Sequence, residues 1–349
     1  MIQLTYFKHR MKNIKSSYLL FGILSILILT IILIGCNTFN KGKQISTPQL
    51  SVGIQNSPSN ALVIIADKKG FFDTTKVKVV VKEFTAGKLA LQALLGQAGD
   101  LDVAVSAETP VALSSLGGNK IKVISQIVSA KDEARVVVRK DGNLDTPEKY
   151  FNKKRKLTTS LGGSPEWFTY NFIKKYNLDK NKLEVIAMLP ENMPVALSGG
   201  AVDAISIFDP YARIGEKELG DKGLTFYDSD VTSYYVMSVK DATIKEKGVA
   251  LEELIKGLLK AEEFIKTNPD EAKKIVADQT KLDIGIINET WSNYSFDVRL
   301  DKSFIELSKS EANWAIETGK YPQGTAIPNF NSVIDSTILK KIAPNSVNQ

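Results

Sequence analysis

From residue 48 onward, short runs rich in Val, Ile and Leu alternate with stretches whose apolar positions recur at helical spacing, the pattern of an α/β chain. It predicts strands over Leu50–Ile54, Val77–Val81, Leu101–Val105 and Ile121–Ile127, separated by helices over Asn60–Lys69, Leu89–Leu95 and Val111–Leu116. A second set follows, with strands Arg135–Arg139, Lys156–Ser160, Leu183–Ala187 and Ala204–Phe208 and helices Glu166–Tyr176 and Pro194–Leu197. Tyr234–Val239 reads as a further strand. From Leu251 the pattern is mostly helical, over Leu251–Lys266, Pro269–Val276 and Phe304–Thr318.

The two sets share a phrase: Leu95 to Asp102 leads through Val103-Ala104-Val105 to Glu108-Thr109-Pro110, and Leu197 to Asp203 leads through Ala204 to Ile207 to Asp209-Pro210. In each a helix ends at Gly, an Asp enters a buried strand and an acid near a Pro opens the next helix, which predicts two lobes of like topology.

Strand ends repeatedly meet a cap residue followed by proline: Ser57-Pro58, Thr109-Pro110, Ser164-Pro165 and Asp209-Pro210. Ser, Thr and Asp accept bonds from free backbone N–H groups of a first helical turn, and Pro at the first position sacrifices none. These are expected helix starts at carboxyl strand ends, the edge at which open α/β sheets bind ligands. The polar candidates around them are Gln55, Asn56, Ser57, Ser106, Glu108 and Thr109 in the first lobe. Gly163, Ser164, Glu166, Trp167, Asp209 and Tyr211 stand in the second. Gly163 lets backbone approach a ligand closely. Trp167 suits either a stacked planar ring or the core, since Phe168, Phe172 and Tyr176 share its helix.

The first 35 residues differ from all of this. Lys8, Arg10, Lys12 and Lys15 precede a nearly unbroken Leu/Ile run from Tyr18 to Gly35, the pattern of an export signal, with Met1 or Met11 as the start. An uncleaved transmembrane anchor is the other reading of that run. Leu33-Ile34-Gly35-Cys36 resembles the bacterial lipobox, which implies a diacylated Cys36 followed by a polar tether over 36–47. Either way residues 37–349 are expected outside the cytoplasmic membrane.

Composition narrows the chemistry. The formal charge is +6, and removing the leader cations leaves about +2, which gives no reason to expect a nucleic-acid partner. The sole Cys is Cys36 and the sole His is His9, so residues 37–349 have no disulfide, no His or Cys nucleophile system and no zinc site built from those residues. No catalytic residue, metal or cofactor is expected, and the chain reads as a non-enzyme.

By these motifs the chain resembles substrate-binding proteins of ABC importers, in the nitrate, sulfonate and thiamine-precursor class with the type II periplasmic-binding fold. The resemblance rests on Ala66 to Phe72, Ala93-Leu94 through Asp102, Gly163-Ser164, Ala196-Leu197 through Asp203, Phe208 to Tyr211, and Asn268 to Ala272. It implies two α/β lobes, each with a mixed sheet covered by helices on both faces, around a ligand cleft. Lobe 1 is expected over 48–135 and 232–349 and lobe 2 over 136–231. It further implies a lipid-anchored monomer that captures a small polar solute by lobe closure and delivers it to a permease with its ATPase subunit. A ligand-sensing accessory of a membrane receptor, and an enzyme like the pyrimidine synthases, are the alternatives.

The turns contain Glu108, Glu166 and Asp209 but no Lys or Arg. Unless Arg213, Arg299 or Lys88 reaches inward, these acids disfavour an anion and favour a neutral or cationic heterocycle such as a thiamine-related pyrimidine.

Overall fold

A computed structural model describes residues 48–348, apart from 75, 97–100 and 228–231. The leader 1–35, Cys36 and the tether 36–47 lie outside the described residues, as does part of the Leu95 to Asp102 phrase. Strand β1 (Gln49–Gln55) is buried from its second residue to its last, as a strand covered on both faces must be. Parallel neighbours β2 (Lys78–Phe84) and β3 (Val103–Ala107) flank it. Helices α1 (Ala61–Lys68), α2 (Gly87–Leu95) and α3 (Glu108–Leu116) connect or follow them, and β4 (Lys122–Lys131) ends this first pass.

The chain then enters a separate sheet at β5 (Ala134–Arg139). Two helices of this region, α4 (Pro147–Tyr150) and α5 (Ser164–Lys175), bracket β6 (Arg155–Thr159). Next come β7 (Leu183–Ala187), α6 (Met193–Ser198), β8 (Ala204–Phe208), α7 (Tyr211–Leu219) and β9 (Gly223–Tyr227). The sheet order is β7-β6-β8-β5-β9, with β6 parallel to β7 and β8 and β5 antiparallel to β8 and β9. Side chains of β5 alternate between two cores: Val136 and Val138 join Phe168, Phe172 and Phe226, whereas Val137 joins Met193, Leu197 and Ile205.

Strand β10 (Thr232–Val239) returns to the first sheet, antiparallel between β3 and β4. Helices α8 (Asp241–Thr267), α9 (Pro269–Thr280) and α10 (Ile284–Thr290) precede β11 (Tyr294–Asp301), which pairs with β4. Helices α11 (Ser303–Glu317) and α12 (Thr337–Ile342) precede β12 (Val347–Asn348), and the order is β12-β11-β4-β10-β3-β1-β2.

Strand β11 corrects the mostly helical reading of the tail. Tyr294, Phe296, Val298 and Leu300 are buried while the residues between them are not, so the segment has period two and suits a sheet. The chain crosses between the sheets at 132–133 and again between Tyr227 and Thr232. Among the described residues no helix is long and apolar enough to cross a membrane.

Candidate functional site

Carboxyl ends of β1, β3, β6 and β8 feed the helix starts singled out in the sequence, but the side chains there do not cap. Ser57 stands at the cap of a 3₁₀ turn (Pro58–Asn60) running into α1, and its hydroxyl lies 2.6 Å from Ser59 Oγ. Thr109 is already inside α3, where it donates to Glu311. Ser164 is the first residue of α5, with Gly163 in the cap position. Asp209 precedes a cis bond to Pro210, and Pro210 is the cap of α7. The capping role expected of these residues is corrected in each case: none accepts a first-turn bond, and Ser57, Thr109 and Asp209 have partners elsewhere.

What the starts do form is a gap between the two sheets of about 370 Å³, its open mouth included, of which the centre of a water molecule can visit about 30 Å³. Gln55, Gly87, Lys88, Ala107 and Tyr235 line it from the first sheet's side, and Ser160, Gly163, Ser164, Pro165 and Phe208 from the second's. One or two waters fit that space. An organic solute of several heavy atoms needs more room than that.

Local geometry explains the placement. A Cβ on Gly87 would sit 2.9 Å from Ser106 Cα, so glycine there lets the start of α2 press against the end of β3. Gly163 differs: its φ is −145° and a Cβ would meet nothing nearer than Pro165 Cδ at 3.6 Å. No protein neighbour requires glycine at 163, so its missing side chain leaves room in the gap. Gln55 is buried; its Oε1 accepts from Gly87 N at 3.4 Å, which turns its amide nitrogen away from that helix start.

The acids of the turns are withdrawn from the gap. Burial pushes Glu108 up to about 7; it accepts from Tyr234 N at 2.6 Å and from Glu311, whose own carboxyl burial and the Glu108 charge hold protonated. Asp209 pairs with the Arg135 guanidinium, both buried. Burial pushes Asp209 up to about 6 against the pull of Arg135 and Arg213, which leaves it ionised at neutral pH. Arg135 Nε also lies 2.9 Å from Glu216 Oε1. Glu166 accepts from Gly162 N at 2.7 Å and pairs with Lys320.

Of the residues expected at the site, Gln55, Gly163 and Ser164 line the gap together. Asn56 donates instead to Gln279 O at 3.4 Å, and Ser106 to Ala107 O at 3.1 Å. Trp167 stacks on Tyr170 and meets Trp314 edge-on at 5.4 Å, across the two sheets and outside the gap. Tyr211 packs edge-on against Phe208 at 5.9 Å. Sequence reasoning missed Ser160, Gly87 and Tyr235, and it treated Lys88 only as a cation that could reach inward. The signal for two of them was the Gly87-Lys88 pair opening a helix behind a strand.

Lys88 does reach inward. Its ammonium donates to Ser160 Oγ at 3.1 Å and Leu161 O at 2.7 Å, both on the second sheet's side. Burial lowers its pKa, and the Glu166 charge opposes that shift. Arg213 and Arg299 do not play this part: Arg213 is bound to Glu216 at 2.7 Å and Glu289 at 3.4 Å, and Arg299 to Asp301 at 3.0 Å. Among the described residues no group of three or more His, Cys, Asp and Glu is placed to hold a metal ion.

A family model described as the NMT1-like family matches residues 43–279. The chain belongs to that family. A Bacillus subtilis (strain 168) protein named as an aliphatic sulfonates-binding protein is 23% identical over 327 residues, covering 92% of this chain and 96% of that one. The crystal structure of the periplasmic aliphatic sulphonate binding protein SsuA from Escherichia coli superposes with a TM-score of 0.67 at 17% identity, covering 83% of this chain and 98% of that one. A desulfurization enzyme, DSZB, shares the architecture with a TM-score of 0.60 at 14% identity, over 85% of this chain and 99% of that one. This member of the family has the periplasmic-binding-protein fold.

Proposed function

We propose that the chain is the extracytoplasmic solute-binding component of an ABC importer, and that it captures a small organic anion of sulfonate type between its two sheets. Lobe 1 (48–135 and 232–349) and lobe 2 (136–231) part, admit the solute and close over it, and the closed form docks on a permease with its ATPase subunit. Acylation of Cys36 holds the monomer at the outer face of the membrane. One observation carries this reading: the gap lies where α2 and α5, one from each sheet, begin, and a solute held there touches both sheets at once. A ligand favours closure only through such shared contacts. Helix starts carry partial positive charge. The carboxylates that argued for a neutral or cationic heterocycle no longer do so, since Asp209 is paired with Arg135, Glu166 with Lys320, and Glu108 is turned to Tyr234 N and Glu311 outside the lining of the gap.

Family membership and the sulfonate-binding relative support the same class. The test is thermal stability of the purified protein with taurine, propanesulfonate, nitrate and an aminopyrimidine. A shift with the sulfonates is expected. A shift with the aminopyrimidine alone overturns the ligand class, and mass spectrometry of solute retained through native purification checks the result.

A further inference from the structure

The cations around the cleft divide cleanly by partner. Arg135 has Asp209 and Glu216, Arg213 has Glu216 and Glu289, and Lys320 has Glu166. Lys88 has no carboxylate within ion-pair distance among the described residues, although it is half-buried. An ammonium carries three N–H donors. Ser160 Oγ and Leu161 O take two of them, both neutral acceptors on the facing sheet, and the residue lines the gap. Beside it, the buried Gln55 has no protein partner for its amide nitrogen among the described residues. A half-buried cation that the Glu166 charge reaches only from beyond ion-pair distance is under-compensated, and an anion brought beside it relieves that imbalance.

We propose that Lys88 is the charge-selecting residue of this site: its ammonium seats the anionic group of the solute, and its bonds to Ser160 and Leu161 make that same charge part of the closed state. The assignment rests on the small-solute reading above. Lys88 stands on α2 of the first sheet's side, so an anion bound there meets a cation already tied to the opposite wall. Solutes of equal shape are then separated by charge, because an anion balances the half-buried ammonium and a neutral solute does not.

The experiment pairs propane-1-sulfonate with propane-1-sulfonamide, which match in shape and differ in charge, in calorimetric titrations of the wild type, Lys88→Met, Lys88→Arg and Lys320→Ala. Wild type is expected to prefer the sulfonate by about 10- to 100-fold, the range of a hydrogen bond to a charged group. Lys88→Met loses that preference, Lys88→Arg keeps most of it, and Lys320→Ala leaves the ratio unchanged. Equal loss for both solutes in Lys88→Met makes the residue a latch without charge selection and overturns the assignment. A wild type that prefers the sulfonate with Lys88→Met unchanged also overturns it while leaving the solute site in place. A wild type that binds neither compound overturns both. Lys88→Gln, with thermal unfolding of each variant, separates lost binding from lost fold.

Discussion

Two strand ends carry an acid toward the cleft, and the protein silences them by different means. At the end of β8, Asp209 is met by a buried guanidinium, Arg135, so the site holds opposite charges. At the end of β3, Glu108 is met by another carboxyl, Glu311, so the site holds a shared proton. The first solution needs a second buried ion and the second needs a pH at which the proton stays. Neither acid lines the gap, and that is why Lys88, an inward cation with no carboxylate at ion-pair distance among the described residues, can set its polarity.

Removing Arg135 breaks the first solution most severely. Arg135→Met leaves Asp209 and Glu216 buried without their cation, and a loss of about 3–5 kcal/mol in urea unfolding is expected. A loss below about 1 kcal/mol would mean that water reaches the pair. Breaking the second solution has a smaller effect. Glu311→Ala strips Glu108 and Thr109 of a partner, for about 1–3 kcal/mol, whereas Glu311→Gln keeps a donor and stays near wild type at pH 6.

The pH response sharpens the contrast. Glu108 rises from 4.5 to about 7 on folding, and Glu133, buried against the Tyr235 hydroxyl at 2.6 Å, rises from 4.5 to about 8. In both, the folded state binds the extra proton. Their contribution is complete below about pH 4.5 and is lost as pH rises through 7 to 8, at up to about 1.4 kcal/mol per pH unit for each group. The melting temperature is therefore expected to fall between pH 6 and pH 8.5, with Glu133→Gln flattening the slope. A flat wild-type profile would contradict protonated carboxyls at these positions.

The smallest effect belongs to the ion pair at the cleft edge. Lys320→Ala removes a partly exposed bridge to Glu166 between the two sheets, and solute affinity should weaken by about 0.2–1 kcal/mol for all solutes alike. A change in solute preference instead would place Glu166 in the recognition of charge.

Much of the architecture was legible in the chain. The strands of β1, β3, β5 and β8 are short β-branched runs, and a run of that kind buried on both faces has few other ways to fold. Strand β11 was missed although Tyr294, Phe296, Val298 and Leu300 alternate, because helices on either side made the whole tail look helical. Gln55, Gly163 and Ser164, singled out in the sequence, line the gap because backbone turns place them, and turns are local. The partners of Glu108, Thr109 and Asp209 were not legible because Glu311 and Arg135 lie far along the chain, and so does Trp314, which Trp167 meets.

The order of apolar runs and turn residues determined by itself that two α/β sheets would form with helix starts gathered at strand ends, since periodicity and punctuation act over a few residues. Only the tertiary structure decided the sign of charge left in the cleft. That sign depends on which buried acid meets a guanidinium, which meets another carboxyl, and which lysine meets neither, and electrostatic pairing is settled by distance in space and by loss of water.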